Sequence, residues 1–538
     1  MLSEPFLKFK QPAIFFSSGF AFPVAPLDFQ DPGCDGRIGI TMKKFFNWLH
    51  SVSLSMVTIQ PARESTGLIA TNFWIAFFIA LVVIIAYFPS LNNAFVNWDD
   101  TENFLSNPFF RGLGSGNIRW AFATYRRGAY QPFGWLLFSL QYLAFGVQPW
   151  GFHLTSILLH SINCMLLYFL TVEIMVFFND GGSDRDSRIV SYSALFAVLV
   201  YAVHPLRVEV VSWASCQPYI PCASFSMLAT LSYLRSLKAV NSRGRLVWDA
   251  ICFFSLVSSL LSKSVPVGLP IVFCIIDVYA NKRGQFAYNS AKSILLKKLH
   301  LFAFSAFIIV EAILAKHYNQ GLIRLDSLGI IDRIYLVAFS SLFYLFKTCI
   351  PLNLLPYYPL PQKINLNSVD FMLSWAGFTL ISAAAILSYR RRPAFLSAWA
   401  CYLVILLPNS GLVGIGQGLG ATRVIAADRY SYIASMIWIP IFASQLAALW
   451  QFFRYRRVLL VLLSLIITCL ILMTWSQCRI WSDSVSLWSH TLAKGGNSAL
   501  AHYNLGVALE SLGRPDLASP HFKAANTILK YQNLPPLK

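Results

Sequence analysis

The feature that most constrains this chain is a succession of apolar runs, each about twenty residues long and each followed by a short polar or basic break. A helix of about twenty apolar residues is what a hydrocarbon core demands, because no water is there to satisfy an open backbone. Eleven such runs can be marked, at 72–90, 152–178, 192–213, 219–234, 248–262, 265–280, 299–315, 371–389, 394–408, 432–450 and 458–475. The composition agrees: 56% of the 538 residues are hydrophobic and only 12% are charged, where a soluble domain carries about 25% charged residues. The fold class expected is an all-α, polytopic helical membrane bundle of about eleven spans. The run at 334–352 is not counted, because Lys347 interrupts it and Pro351, Pro356, Pro359 and Pro361 follow closely. It reads as an interfacial or re-entrant element.

The net charge of +19 could suggest a nucleic-acid partner, but the Lys and Arg residues sit mostly in the breaks between apolar runs, as anchors on the cytoplasmic side do. No nucleic acid is therefore expected. The breaks at 184–188, 235–245, 282–298, 390–392 and 454–457 are basic and alternate with nearly uncharged ones. That alternation puts the loop at 91–150 on the opposite, outer face, despite Arg111, Arg119, Arg126 and Arg127 within it; those arginines call for partners. The same parity puts the C-terminal tail on the outer face.

Three regions follow. Residues 1–71 lack a signal sequence and read as a cytoplasmic extension, with Met42 as an alternative start. Residues 72–475 are the membrane domain. Residues 476–538 are a soluble tail in which Leu505, Gly506, Ala518, Phe522 and Ala525 stand where a tetratricopeptide unit of about 34 residues needs its small and aromatic positions. Trp488, one such length before Phe522, marks the second half of a preceding unit. A repeat array needs about three units to bury its own faces, so this short tail is expected to dock on the membrane domain or on itself.

The ten cysteines show no metal-ligand spacing and read as small buried hydrophobes; only Cys216 and Cys222, flanking one predicted turn, are near enough in sequence to pair. His153 and His160 share a helical face with no carboxylate or third ligand nearby, which suits hydrogen-bonded core histidines. No metal site is indicated, although a divalent ion would be compatible with the chemistry below.

Four polar constellations need a function or a structural account. Asp99 and Asp100, with Glu102, follow the first run and could equally be a solvated loop end. His204, Arg207 and Glu209 lie inside an apolar run, where each charge costs about 2.5–3.5 kcal/mol on the insertion scale; an ion pair that locks packing is the structural alternative. Asp428, Arg429 and Tyr430 form a third group, where a salt bridge competes with substrate contact. Lys263, between two short runs, could simply reach the interface. Carboxylates and cations together at an outer face suit transfer of a sugar from a lipid-linked phosphate. A carboxylate takes the proton of the attacking hydroxyl, and Arg and Lys stabilise the departing phosphate.

The motifs Phe95-Val-Asn-Trp-Asp-Asp, Tyr130-Gln-Pro-Phe-Gly-Trp, Trp150-Gly-Phe-His-Leu, His204-Pro-Leu-Arg-Val-Glu, Ser262-Lys-Ser, Ala427-Asp-Arg-Tyr and Trp481-Ser-Asp-Ser-Val-Ser-Leu-Trp occur in that order, ahead of the repeat. In this the chain resembles the transmembrane O-mannosyltransferases with tetratricopeptide repeats and their bacterial relatives, in the C-type glycosyltransferase superfamily. The resemblance implies a polyprenyl-phosphate sugar as donor, a protein or glycan hydroxyl as acceptor docking near the tail, and Asp99 or Asp100 as general base. Tyr130, His204, Arg207, Glu209, Lys263, Asp428, Arg429 and Tyr430 are then candidate contacts to the donor, and no cofactor beyond that lipid-linked donor is expected. Two departures stand out: Gln131 where relatives often have Arg, and Ser264 where an acidic residue is common. The tail is far shorter than the arrays of animal members, which suits a bacterial cytoplasmic membrane better than the endoplasmic reticulum. The alternatives are a non-catalytic membrane-anchored repeat scaffold and a lipid-linked glycan polymerase or ligase.

Overall fold

The computed structural model describes residues 66–178, 184–282, 291–318, 329–359, 368–412, 424–452, 455–495 and 498–531. Residues 1–65, nearly all of the expected N-terminal extension, lie outside the described residues. The polypeptide is a helical bundle as expected, and the one sheet among the described residues is a two-stranded antiparallel pair, Tyr358–Pro359 against Val424–Ala426.

Seven helices among the described residues are long and apolar enough to cross a membrane: Ala70–Asn92, Pro149–Phe177, Ser242–Ser262, Leu299–Tyr318, Val369–Ser388, Asp428–Phe452 and Arg456–Ile480. An eighth candidate is broken. Helix Asp184–Ala202 is followed by Pro205–Ser212 at a bend of 59°. The other expected runs form shorter or more polar helices, Tyr219–Lys238, Leu269–Lys282 and Pro393–Leu406, which is why length and composition alone return fewer spans than eleven. The uncounted run at 334–352 is also a full helix, Ile330–Cys349, packed along Val369–Ser388.

The broken helix organises the end of the bundle that carries the loop at 91–150. Pro205 has no backbone N–H and cannot continue the helix, so the carbonyls behind it need other donors. The Ala202 carbonyl accepts from Tyr87 Oη at 3.2 Å and from His160 Nε2 at 3.1 Å, and the Val203 carbonyl accepts from Thr474 Oγ1 at 2.7 Å. His204 caps the new turn, its Nδ1 accepting from the Leu206 amide at 3.2 Å while Nε2 donates to the Thr348 carbonyl at 3.0 Å. Donors from three other helices thus close one break.

The loop at 91–150 is folded rather than open. Helices Ser115–Ala123 and Pro132–Phe145 pack around Phe104, Phe110, Trp135, Phe138 and Phe152, all buried. Three of its four arginines have the partners they required: Arg111 Nη2 donates to the Leu105 carbonyl at 2.8 Å, Arg126 donates to the Glu102 carbonyl, and Arg127 pairs with Asp99 and Glu102, while Arg119 is exposed. Cys216 and Cys222 are unpaired thiols.

The tail comprises Ser484–Ala493, Ala499–Ser511 and Pro515–Tyr531. The middle helix ends where Gly513 adopts a left-handed φ of 72° and the Arg514 amide donates back to the Leu509 carbonyl at 3.0 Å. The last two helices touch through Gly506, where an added Cβ would lie 2.7 Å from the ring of Phe522. Gly506→Ala should therefore destabilise the tail by about 1–3 kcal/mol and speed limited proteolysis near 513, with the membrane domain remaining protease-resistant; unchanged cleavage would contradict the close packing.

Candidate active site

The stretch 93–100 is pinned from several directions before any question of chemistry arises. Asn93 Nδ2 donates to the Cys478 carbonyl at 3.2 Å and the Ala94 amide to the Ser482 carbonyl at 2.8 Å. Asn97 bridges to the tail, its amide donating to Ser484 Oγ at 2.8 Å and Nδ2 to the Asn504 carbonyl at 2.8 Å, while Oδ1 accepts from Trp488 Nε1 at 2.7 Å. The tail is docked on the loop, as its short length required.

Within this frame the two adjacent aspartates have separate environments. Asp100 is 1% exposed and both its oxygens are used. Oδ1 accepts from the Ser215 amide at 3.0 Å and from Ser215 Oγ at 2.5 Å, and Oδ2 accepts from the Val96 amide at 3.0 Å. It ties the loop to the turn after the broken helix. Asp99 has a side chain 24% exposed, and its Oδ1 takes both bonds from Arg127, from Nε at 2.9 Å and Nη2 at 2.5 Å. Oδ2 of Asp99 makes no hydrogen bond among the described residues.

Cations surround Asp99. Lys263, at the end of Ser242–Ser262, donates to Gln131 Oε1 at 2.7 Å and lies 5.5 Å from the Tyr219 ring. Burial draws its ammonium down to about 8, with Lys316 and Arg429 as neighbouring like charges and Asp99 as an opposing one. Lys316 comes from the Leu299–Tyr318 helix, which also supplies Glu311, the acceptor of a 2.7 Å bond from Tyr125 Oη. Tyr130 packs beside Tyr125, with ring centroids 6.1 Å apart.

Glu209 and Arg429 form the buried ion pair of this end: the Arg429 guanidinium bonds Glu209 Oε1 and its amide donates to Oε2 at 2.6 Å. The Arg429 guanidinium also lies over the rings of Tyr430, Trp213 and Trp98, at 4.9, 5.6 and 5.7 Å. Those rings belong to a column in which Trp98 stacks on Trp213 at 5.0 Å, Trp213 on Trp481 at 5.6 Å, and Trp488 tilts against Trp98 at 5.3 Å. Asp428, buried beside Arg429, accepts from Tyr358 Oη at 3.0 Å, a contact fixed by the two-stranded pair.

Arg207 is the exception among the predicted residues. Glu209 pairs with Arg429, so Arg207 has no acidic partner; it is 1% exposed, its Nε and Nη1 lack hydrogen-bond partners, and it lies over Tyr201 at 4.9 Å and Tyr432 at 5.9 Å. His204 is likewise buried and engaged with backbone. Asp99, Lys263, Glu209, Arg429 and Tyr430 are thus brought to one region together with Tyr130, while His204, Arg207 and Asp100 are enclosed behind it. His160 is hydrogen-bonded in the core, to Tyr432 Oη at 2.7 Å. The sequence reading missed Arg127 as the partner of Asp99, and also Lys316 and Glu311; an acidic residue inside an apolar run, as at 311, was the available signal. A cavity of about 730 Å³, lined mostly by apolar residues such as Leu167, Ile276 and Ile437, includes none of these residues.

A polytopic helical bundle with a carboxylate and cations clustered at one end, and a repeat-like helical tail docked beside them, is the class of protein that fold and site define. The comparisons with known proteins agree. No family profile matches the chain. It is similar to human protein O-mannosyl-transferase TMTC4, 26% identical over 221 residues, which is 38% of this chain and 30% of that protein. It is also similar to the Caenorhabditis elegans protein O-mannosyl-transferase F38B6.6, 23% identical over 449 residues, 80% of this chain and 59% of that one. The chain therefore spans from under a third to about three fifths of the length of these two relatives. Among solved structures it resembles ArnT from Cupriavidus metallidurans bound to undecaprenyl phosphate, with 14% identity, a TM-score of 0.38, and coverage of 86% of this chain and 76% of that one. The resemblance to the transmembrane O-mannosyltransferases read from the motifs is borne out.

Two consequences of the geometry are measurable. Burial pushes the Asp100 carboxyl up to about 7, with Asp99 adding to the rise and the bonds from Ser215 and Val96 opposing it. The folded chain thus keeps a proton that the unfolded chain releases near 3.8, so this group's contribution to stability is full below about pH 4 and is lost as pH rises through about 7. In detergent the melting temperature should fall between about pH 4 and about pH 8, and Asp100→Asn should flatten that dependence; an identical slope in the variant would refute it. Glu209→Ala should cost about 3–5 kcal/mol by stranding the Arg429 guanidinium, read as a lower denaturation midpoint.

Proposed function

We propose that this protein is an integral-membrane glycosyltransferase that moves a mannose-like hexose from a polyprenyl-phosphate donor to a protein or glycan hydroxyl at the outer or luminal face, with Asp99 as general base. The observation that carries the reading is the division of labour between adjacent carboxylates. Asp100 has spent both oxygens on the backbone and on Ser215, whereas Asp99 keeps Oδ2 free of hydrogen bonds among the described residues while Arg127 fixes Oδ1. An oriented carboxylate with one unused oxygen is what acceptance of a hydroxyl proton requires.

In this mechanism the acceptor oxygen attacks the anomeric carbon as its proton passes to Asp99 Oδ2. The bond from that carbon to the donor phosphate breaks, and the phosphate leaves with the electron pair. Lys263, Lys316 and Arg429 supply the positive charge that meets it. Lys263 suits the task because its Nζ is held by Gln131 and its ammonium is only partly weakened by burial, so it stays charged at neutral pH. Gln131, standing where relatives often have Arg, directs Lys263 rather than adding a charge of its own. Tyr130 and Tyr430 contribute aromatic faces for the sugar, and Glu209 and Asp428 hold Arg429 and its turn in place. His204 and Arg207 act as positioning residues that shape the broken helix behind the site.

The names of the relatives support mannose as the sugar and a protein hydroxyl as the acceptor. The docked tail supports an acceptor approaching beside Asn97. The tail then lies on the outer face with Asp99, in keeping with the positions of the basic breaks.

The test is release of polyprenyl phosphate from radiolabelled lipid-linked mannose by proteoliposomes holding the full chain, with and without acceptor. Asp99→Asn should lower the rate by about 10²–10⁴-fold with an unchanged melting temperature. Undiminished transfer by Asp99→Asn would exclude Asp99 as the base, absence of release by the wild-type chain would leave the scaffold reading in its place, and donor cleavage that ignores protein acceptors but extends glycans would favour the polymerase.

A further inference from the structure

At the opposite end of the bundle from Asp99, helices Asp184–Ala202, Ile439–Phe452 and Arg456–Ile480 enclose a second groove of about 500 Å³, within the usual size of a small-molecule pocket. Its walls are apolar, with Leu195, Phe196, Leu446, Leu459 and Leu463 along its length. Its mouth is not. Arg188 and Arg456 line it there with Tyr192 and Trp450.

Neither guanidinium group has an acidic partner among the described residues. Arg188 makes no hydrogen bond or ion pair among the described residues. Arg456 Nε donates to the Trp450 carbonyl at 3.1 Å and its guanidinium lies 5.5 Å from the Trp450 ring, which holds the side chain at the mouth and leaves both terminal nitrogens unused among the described residues. These arginines come from two basic breaks, 184–188 and 454–457, so the mouth lies at the end of the bundle where basic residues concentrate. Trp450 and Tyr192 are the residue types that settle at the level of lipid headgroups.

An apolar groove between membrane helices that opens on two unpaired arginines and an aromatic pair is complementary to one chemistry: an anion with hydrocarbon attached. We propose that it is a binding site for an anionic glycerophospholipid, whose headgroup phosphate sits between Arg188 and Arg456 and whose acyl chain runs along Leu446, Leu459 and Leu463. A zwitterionic lipid would bring its own cation to the same mouth, and a free phosphate would leave the apolar walls uncovered, so both should bind less well. The site is independent of the transfer chemistry, since no residue is shared with the region around Asp99.

The test is native mass spectrometry of the purified full chain after equilibration in mixed micelles containing phosphatidylglycerol or phosphatidylcholine of the same acyl composition. Wild-type protein should retain phosphatidylglycerol selectively, and excess inorganic phosphate should not displace it. Arg188→Gln/Arg456→Gln should weaken retention by roughly 30-fold, and Leu460→Trp, which fills the groove while leaving both arginines, should expel the lipid. Equal retention of the two lipids by the wild type, displacement by inorganic phosphate, or retention of neither lipid by the wild type would each overturn the proposal. If the double variant does not fold, the wild-type selectivity and Leu460→Trp still decide it.

Discussion

The missing N–H of Pro205 is the constraint on which the end of the bundle bearing Asp99 depends. A helix interrupted inside an apolar environment leaves carbonyls that no water can reach, and each must find a donor or the segment cannot be held there. Tyr87, His160 and Thr474 supply those donors from three other helices, so the break fixes the packing of the bundle as much as the bundle permits the break. The chain that emerges beyond it carries Glu209 and, a few residues on, Ser215. Those two residues receive Arg429 and Asp100 respectively, and the polar cluster is assembled on a turn that a continuous helix could not present.

Charge is distributed around that turn according to access. Glu209 and Arg429 satisfy each other in a buried pair, whose net contribution to stability is small because desolvation offsets attraction, but whose geometry is strict. Asp100 acts as a bracket. Asp99, one residue earlier, points the other way because Val96 and Ser215 have already claimed the inward direction for its neighbour. The column of Trp98, Trp213, Trp481 and Trp488 excludes water from one side of Arg429, which strengthens every electrostatic interaction made there. Arg207 remains the costly member, a sealed guanidinium whose visible compensation is the faces of Tyr201 and Tyr432.

Much of this was legible in the amino-acid order and part was not. Apolar length announced the bundle, the Leu505-Gly506 and Phe522 spacing announced the tail pair, and charges inside apolar runs marked 204–209 as special. Partnership was the illegible part. Glu209 stands two residues from Arg207 and pairs with Arg429; Asp99 and Asp100 are adjacent and differ in role because of Arg127 and Ser215. Such choices depend on which elements the topology brings together across 28 to 220 residues, and local pattern carries no record of them. Lys316 and Glu311 were hidden for a related reason, since an otherwise apolar helix masks a polar face that only its neighbours reveal.

The grip on Asn97 has a consequence in time. Its partners Ser484, Trp488 and Asn504 lie 387 to 407 residues further along the chain. At a synthesis rate of about 5–20 residues per second, the loop bearing Asp99 waits about 20–80 s for the segments that hold it. Through that interval the first span and its loop exist without their clamp, and the cluster around Asp99 acquires its final shape only as the tail docks. A nascent or truncated chain is thereby kept from presenting a finished site.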